Sequence, residues 1–472
     1  MGYQAAKSKD YGVNDCAGCF EKQLVIDRQF EEITRLKQKL QVNQRKSKEG
    51  FFGSSTPSSK VPVKANSVAE NQAQKGGGQL GHAGVGRRIF SQTEADEVRI
   101  AEAEVETCVD CRCRLSRLSS NRRAIYELER EKVKKIYYEI ARKVCPNCRR
   151  IESGKVGNTF ARMSLSNELI GEVAEQHYVL GRTLGQIAER FALNYATLSE
   201  SLKRLGKLLE PTLKGLKRDY RQAALRHADE TGWRTDGGNG YSWYFGSKDV
   251  SLHLFRQTRS ASVVREVLGT EELGGVLVVD RYSGYNRVPC AMQYCYAHLL
   301  REMKDLEQEF ETNEEIGNYT RQMKLHLTDA MQLRKRNLNE AEYRTAAAAI
   351  KSKMLELSDR QARHPAVRKW QDFFVEKAAR LYQWTETAEI PADNNYAERE
   401  IRKIVIARKM SYGSQSTEGA KTREIWTSVL QTLKKREPNP RDKLIESLNR
   451  LSQNENLDIA EELFGSPLSP LA

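Results

Sequence analysis

From position 274 to 280 the chain reads GGVLVVD, an unbroken apolar, mostly β-branched run closed by an acid. A run with no polar alternate position predicts a strand buried on both faces. Upstream, three further segments carry strand character with turn residues between them: RHADETGWRTDGG, GYSWYFG and SLHLFRQ. SASVVREVLG, between the third of these and GGVLVVD, has helical spacing and serves as a short crossover. The predicted order is therefore β-β-β-α-β. Asp229 falls in or at the end of the first strand, and Asp280 closes the fourth.

Helical periodicity governs most of the rest. Residues 164–219 and 299–388 are helical in pattern, AAAAIKSKMLEL being the clearest piece. So are the segment around PADNNYAEREIRKIVIARK and the following GAKTREIWTSVLQTLKKRE. Within the first region, RTLGQIAERFALNYATLSESLKRL predicts two short helices around a tight turn. Leu184, Ile187, Ala188 and Phe191 form the apolar face of the first, and Leu193-Asn194 makes the turn. This is the grammar of a helix-turn-helix, whose second helix would offer Asn194, Tyr195, Thr197, Ser201 and Lys203 to phosphates or bases. An ordinary helical hairpin is the plainer alternative. Residues 20–42 repeat Ile26, Ile33 and Leu40 every seven positions, with Phe30 and Leu36 near the same seam, which predicts a coiled coil. From Ser47 to Gly86 the chain turns to Ser, Pro, Gly and Lys, too little apolar surface to offset ordering entropy, and is expected to be a tether.

Charge changes this picture. The chain of 472 residues carries a formal net charge of +14, and between Arg112 and Arg150 alone there are 13 Lys/Arg against 4 Glu. A local excess of this size suits a polyanionic partner held by counterion release. The same block contains two C-x-x-C pairs, Cys108/Cys111 and Cys145/Cys148, separated by 33 residues. Two such knuckles can complete a tetrahedral zinc shell. The spacer exceeds the roughly 15–20 residues of a compact ribbon, and Cys113 is a rival for the place of Cys111. Cys16/Cys19 has no second pair near it and reads as free thiols. There is no apolar run of about 18 residues and no apolar core near the N-terminus, so a reduced, cytoplasmic setting without membrane contact is expected.

The chemistry-bearing residues are the acids. An acid at the end of a buried strand is costly unless it meets a cation, though either aspartate alone could be a strand-end cap. Strand order β-β-β-α-β with acids on the first and fourth strands describes a ribonuclease H-like core, in which those strands are neighbours. Two hard cations sharing such carboxylates can carry phosphoryl transfer. A third acid has to come from a later helix, and on spacing alone Glu398, Asp393 and Glu400 all qualify. His298, three residues after Cys295, has a spacing compatible with metal binding, but reads first as a helix residue near this site, contacting DNA or orienting Asp280. Arg399, Arg402, Arg408 and Lys409 around the third acid are candidate phosphate clamps, with solvated helix faces as the alternative. Trp233 and Trp243 could be core or DNA-stacking residues.

HADETGWR, VVDRYSGYN with the following QYCYAHLLRE, and DNNYAEREIRKIVIARK resemble the three acid motifs of the insertion sequence 66 family of DDE transposases. The resemblance runs from SSTPSSK and GGGQLGHAG to SVLQTLKKREPNP. It implies Asp229, Asp280 and Glu398 as catalytic metal ligands with Mg²⁺ or Mn²⁺ as the cofactor, while Zn²⁺ as a structural ion rests on the two cysteine pairs, whose long spacer departs from the family's pattern. It further implies binding of inverted-repeat element ends and target DNA, strand cleavage and strand transfer, on the bacterial nucleoid. Small accessory proteins of the same element are implied partners, and the coiled coil together with the need to pair two DNA ends leads to the expectation of a homodimer or larger assembly. Tyr296 stands where the family usually has Trp. The expected architecture is α/β: a ribonuclease H-like catalytic core with a large helical insertion, preceded by a coiled coil, a zinc-binding module and a helix-turn-helix domain. Its boundaries are a coiled-coil segment over 1–45, a linker over 46–104 and the zinc module over 105–152. The helix-turn-helix domain follows over 160–222, the core over 223–298 and 389–440, the insertion over 299–388 and a C-terminal tail over 441–472. A catalytically silent, domesticated DNA-binding regulator of the same fold is the alternative, and another ribonuclease H-like nuclease that cuts without joining is a third possibility.

Overall fold

The structure, a computed structural model, describes residues 90–129, 132–454 and 456–465 together with residues 29 and 32. The heptad positions Ile26, Ile33 and Leu40, the Cys16/Cys19 pair and the expected tether over Ser47–Gly86 lie outside the described residues. The first sheet contains β1 (Glu97–Ala101), β2 (Ser116–Glu129), β3 (Lys132–Val144) and β4 (Ile151–Ser153). β3 is central: β1 runs parallel to it on one side, β2 antiparallel on the other, and β4 pairs with its C-terminal end. Alternation along β3 sends Ile136 and Tyr138 into a small core with Ala101, Ile125 and Val156, and Tyr137 to the other face with Phe90 and Ala124. β1 lies inside the segment expected to be linker, so the expected boundary at 104 is corrected to one before Glu97.

Four helices follow: α1 (Asn167–Ala174), α2 (Leu184–Phe191), α3 (Tyr195–Leu209) and α4 (Thr212–Gln222). Thr183 and Gln186 form a capping box on α2, Ala192 ends it in the left-handed conformation, and Asn194 caps α3 by accepting from the Ala196 N–H.

The second sheet is built from β5 (Leu225–Thr235), β6 (Gly238–Gly246), β7 (Ser251–Arg256), then α5 (Ala261–Leu268), β8 (Val276–Val279) and β9 (Ala291–Tyr294). Its order is β7-β6-β5-β8-β9, with β5, β6 and β7 antiparallel and β8 and β9 parallel to β5. All four residues of β8 are buried. Gly275 enters that strand at φ +75, and a Cβ there would sit 2.2 Å from the Ala224 carbonyl oxygen, so the position admits only glycine. Trp243 packs on Phe245 and Tyr285, and Trp233 on Phe255 against Ile404 and Ala407, so both tryptophans are core residues.

The remainder is helical: α6 (Tyr296–Glu309), α7 (Glu314–Leu333), α8 (Glu340–Asp359), α9 (Pro365–Glu376), α10 (Ala378–Leu381), α11 (Asn395–Ser411), α12 (Thr417–Arg436), α13 (Pro440–Gln453) and α14 (Ile459–Phe464). α12 covers the open edge of β7. Its Thr432 and Ser428 hydroxyls and Glu424 carboxylate accept from the backbone N–H groups of Ser251, His253 and Phe255, which satisfies and blocks a sheet edge. On its far side α12 holds α3: the Trp426 indole N–H donates to the Leu202 carbonyl, and Gly206 leaves room for that ring. One apolar cluster thus runs without interruption through α1–α4, the second sheet and the helices after it. The expected tail is corrected likewise, because Leu444, Leu448 and Leu451 of α13 and Leu463 of α14 are buried.

Candidate active site

β5 and β8 pair in parallel through His227↔Val278, so two residues further along each strand the register carries Asp229 alongside Asp280. Asp280 follows the last residue of β8, where its Oδ1 accepts from the Tyr282 N–H at 2.9 Å. Asp229 lies within β5, opposite Tyr244 of β6 on the face that packs against Ala397 and Ile401 of α11. Glu398 is in the first turn of that helix, so all three acids converge on one region. Their charges meet there: the Asp229 carboxyl is pushed well above the usual carboxylate range, first by burial and then by Glu230, Asp280 and Glu398. The rival acids are engaged elsewhere. Asp393 accepts from the Asn395 N–H, and Glu400 is paired with Lys403 at 2.8 Å.

A residue with no sequence signal fixes this convergence. Asn394, buried at the start of α11, donates from Nδ2 to the Ala228 carbonyl at 2.8 Å, immediately before Asp229. That orientation turns its Oδ1 toward His227, whose Nδ1–H donates to it at 2.9 Å; burial pushes the His227 pKa down to about 4, so the ring is neutral. The Asn394 backbone N–H donates to Cys295 Sγ at 3.1 Å, and the Tyr296 N–H to the Ala392 carbonyl at 2.8 Å. The helical insertion therefore leaves and re-enters the core at one point, clamped beside the acids. Tyr296 keeps a buried network, donating to the Leu381 carbonyl and accepting from the Trp384 indole. Asn394→Ala would strand the His227 and Ala228 groups, and is expected to lower unfolding stability by roughly 2–4 kcal/mol, read from the urea midpoint. Asn394→Asp should do comparable damage, since a carboxylate cannot donate to Ala228 and adds charge beside Asp229.

On the opposite face of β5 lies a fourth acid that sequence reasoning missed. Glu230 is buried and accepts from Arg259 at 2.5 Å and from the Tyr285 hydroxyl at 2.7 Å. Burial, then the charge of Asp280, raises its pKa to about 7, although Arg259 and Tyr285 pull it down. Arg259 also stacks over Tyr282 in the loop after Asp280. Arg301, another unpredicted residue, donates to both oxygens of Glu398 at 3.1 and 3.3 Å. His298 Nδ1 lies 3.9 Å from Glu398 Oε1.

The cysteine block resolves the long spacer. The 33 intervening residues fold back as the β2–β3 hairpin, whose base pairs Ser116 with Val144, and this brings the two knuckles together. The sulfurs of Cys108, Cys111, Cys145 and Cys148 lie within 4.8 Å of one another, a group that could hold a metal ion, and Cys113 is outside it. The Cys111 thiol is drawn down to about 6, first by a backbone hydrogen bond at Cys113 and then by Cys145, as suits a metal-binding thiolate.

The candidate DNA contacts divide. Tyr195, Arg399, Arg402 and Lys409 are exposed and Thr197 is half-buried. Lys203 is paired with Glu418 at 2.5 Å. Two expectations are corrected. Ser201 is buried on the same side of α3 as Leu198 and Leu205, and Arg408 is buried with its guanidinium donating to the Thr231 hydroxyl and the Gly232 carbonyl. Neither can reach a phosphate in this arrangement.

The model of the Transposase IS66 family matches residues 162–422, which takes in α2, α3, both strand-borne acids and Glu398. No curated protein matches the chain.

Proposed function

Because the chain belongs to the Transposase IS66 family, we propose that it is a DDE transposase whose Asp229, Asp280 and Glu398 hold Mg²⁺ or Mn²⁺ for cleaving element ends and joining them to target DNA. The observation that carries this reading is the mutual repulsion at Asp229, where burial and three further carboxylates disfavour its charged form. Such a cluster stores an electrostatic cost that a divalent cation offsets, and its donors are the hard oxygens that Mg²⁺ takes. Bound ions would supply Lewis acidity to the attacking and leaving oxygens of an in-line phosphoryl transfer.

The chain's own residues do the rest. Asn394 and Cys295 hold α11 against β5 and so keep Glu398 over the two aspartates. Arg301 neutralises part of the charge on Glu398, and exposed Arg399, Arg402 and Lys409 on α11 lie where a scissile strand would be drawn in. Sheet order β7-β6-β5-β8-β9, with acids on neighbouring β5 and β8 and a third on a later helix, supports a ribonuclease H-like core. The four-sulfur group supports a structural zinc that stiffens the base of the basic hairpin. α2 and α3, with Tyr195 exposed and Thr197 half-buried at the start of α3, support a helix-turn-helix that α12 holds against the core. Element ends must be paired before joining, which favours a dimer or larger assembly, with accessory proteins of the element as further partners. No helix among the described residues is long and apolar enough to cross a membrane.

The test is a pair of assays on DNA carrying the inverted repeats that flank the gene. With Mg²⁺, the protein is expected to nick at the element boundary and to join the resulting 3′ end to a second duplex. Glu398→Gln should abolish both steps while leaving end binding intact. Footprinting without any Mg²⁺-dependent cleavage would favour the silent regulator, and cleavage of structured DNA without joining would favour a different nuclease.

A further inference from the structure

Beside the three acids is a second donor set of a different chemical kind. Cys295 Sγ, an imidazole nitrogen of His298 and a carboxylate oxygen of Glu398 lie within 4.8 Å of one another. The short motif CYAH sets the first two: Cys295 is the N-cap residue of α6, and His298 is in its first turn, one turn further along the same side. Glu398 arrives from α11 through the Asn394 clamp.

Each member offers a donor atom to a cation. His298 Nδ1 is a buried nitrogen with no hydrogen-bond partner, aimed toward Glu398. Buried ring nitrogens are seldom left unsatisfied, and an unsatisfied one beside a thiol and a carboxylate has the environment of a ligand. The Cys295 sulfur is wholly buried, and burial holds its thiol protonated, so only an entering metal displaces the proton; the Asn394 N–H and the backbone N–H groups of Ala297 and His298 at the start of α6 then face the thiolate. Glu398 holds Arg301 through one side of its carboxylate, and a carboxylate has lone pairs for both an arginine and a metal.

We propose that Cys295, His298 and Glu398 form a site for a borderline-soft divalent ion of the zinc class, distinct from the four-cysteine site and sharing Glu398 with the magnesium-binding acids. Sulfur and imidazole select zinc-class ions over magnesium. On entry the Cys295 S–H bond breaks, a metal–sulfur bond forms, and the proton leaves to solvent. Its consequence for activity rests on the reading given above: an ion seated here holds the third acid away from Asp229 and Asp280, so zinc-class ions act as a brake on magnesium-supported catalysis.

The experiment counts metal on the full chain, independently of DNA. Wild-type protein equilibrated with zinc and desalted is expected to retain two ions per chain, and Cys295→Ser only one. Titration with cobalt, which reports thiolate ligation by its near-ultraviolet band, should show two binding steps, with the weaker one lost in Cys295→Ser. In His298→Gln, which spares the buried sulfur, that step should weaken about 100-fold. If Cys295→Ser fails to fold, as judged by circular dichroism, His298→Gln decides alone. Equal metal counts and superimposable cobalt titrations for wild type and the folded variants overturn the site. In cleavage assays, the ratio of the rate with zinc to the rate without it should be small for wild type and close to one for His298→Gln. A chain that binds the second ion but cuts no DNA would sink the transposase reading and leave the site standing. Zinc insensitivity of an active enzyme would sink the brake.

Discussion

Asp229→Asn is expected to make the metal-free protein more resistant to heat at neutral pH while cutting DNA strand cleavage on the order of 10³-fold. The opposite signs have one cause. Burial, then the charges of Glu230, Asp280 and Glu398, push the Asp229 carboxyl well above its ordinary range. Glu230 is raised from 4.5 to about 7 for similar reasons. A raised folded-state pKa means that the folded chain keeps a proton which the unfolded chain releases. The stability of these groups is therefore present at low pH and lost as pH rises, for Glu230 between about 4.5 and about 7. Asp229 meets the same kind of penalty as pH rises, either as poorly solvated charge or as a proton kept against solution, and an isosteric amide at 229 removes it. The same amide withdraws a ligand, so Mg²⁺ should raise the thermal midpoint of wild type and not of the variant. Differential scanning calorimetry at pH 5 and pH 8, with and without Mg²⁺, checks this. A variant that melts lower at pH 8 without metal, or that still cleaves, would remove the electrostatic argument for a metal-binding triad.

How much of this was legible in the sequence depended on whether a feature leaves a periodic trace. VLVV could hardly be anything but a buried strand, and the polar turns before it fixed three partners, so β5 to β8 and their two aspartates could be read directly. The third acid could not be picked from Asp393, Glu398 and Glu400 by spacing, and the resemblance made that choice. In space Asp393 accepts from the helix end and Glu400 pairs with Lys403, whereas Glu398 is among the acids whose charge reaches Asp229, which supports the proposed choice. β9 went unseen because AMQY is only four residues long and runs straight into a helix. Asn394, Glu230, Arg259, Tyr285 and Arg301 were missed for a different reason: each acts through a partner far away in sequence, and single polar residues carry no periodicity. Ser201 and Arg408 erred in the opposite direction. A helical wheel marks a polar position as exposed, whereas Ser201 is buried on the side of α3 that carries Leu198 and Leu205, and β5 buries Arg408. The C-terminal segment looked weakly apolar because its leucines are sparse, yet Leu444, Leu448 and Leu451 fall on one face of α13 and that face is buried.

Cys145→Ser is expected to abolish zinc retention at the four-cysteine site and unfold the N-terminal sheet while the remainder stays folded. The apolar cores of this module are small: Ala101, Ile125, Ile136, Tyr138 and Val156 on one face, with Phe90, Ala124 and Tyr137 on the other. Small domains of this kind commonly lean on a metal, and structural zinc contributes on the order of 10 kcal/mol of apparent folding free energy. Cys145 and Cys108 are buried among Leu115 and the other sulfurs, with Cys145 3.2 Å from Cys111 and Cys108 3.2 Å from Cys148. Removing a buried ligand leaves three thiolates crowded without their cation. Cys148 is exposed, so Cys148→Ser admits water as a substitute ligand and should weaken zinc less. Cys113→Ser should leave the zinc count unchanged, because Cys113 lies outside the ligand group. Trypsin reads the outcome, since the hairpin supplies basic residues along both strands, including Arg117, Arg122, Lys132 and Arg142. Wild type should resist cleavage there until chelator is added, whereas Cys145→Ser should be cut at once, releasing a stable fragment that contains the second sheet. Hairpin protection that survives both the substitution and the chelator would mean that hydrophobic contacts alone hold the knuckles together, and the zinc assignment would go with it.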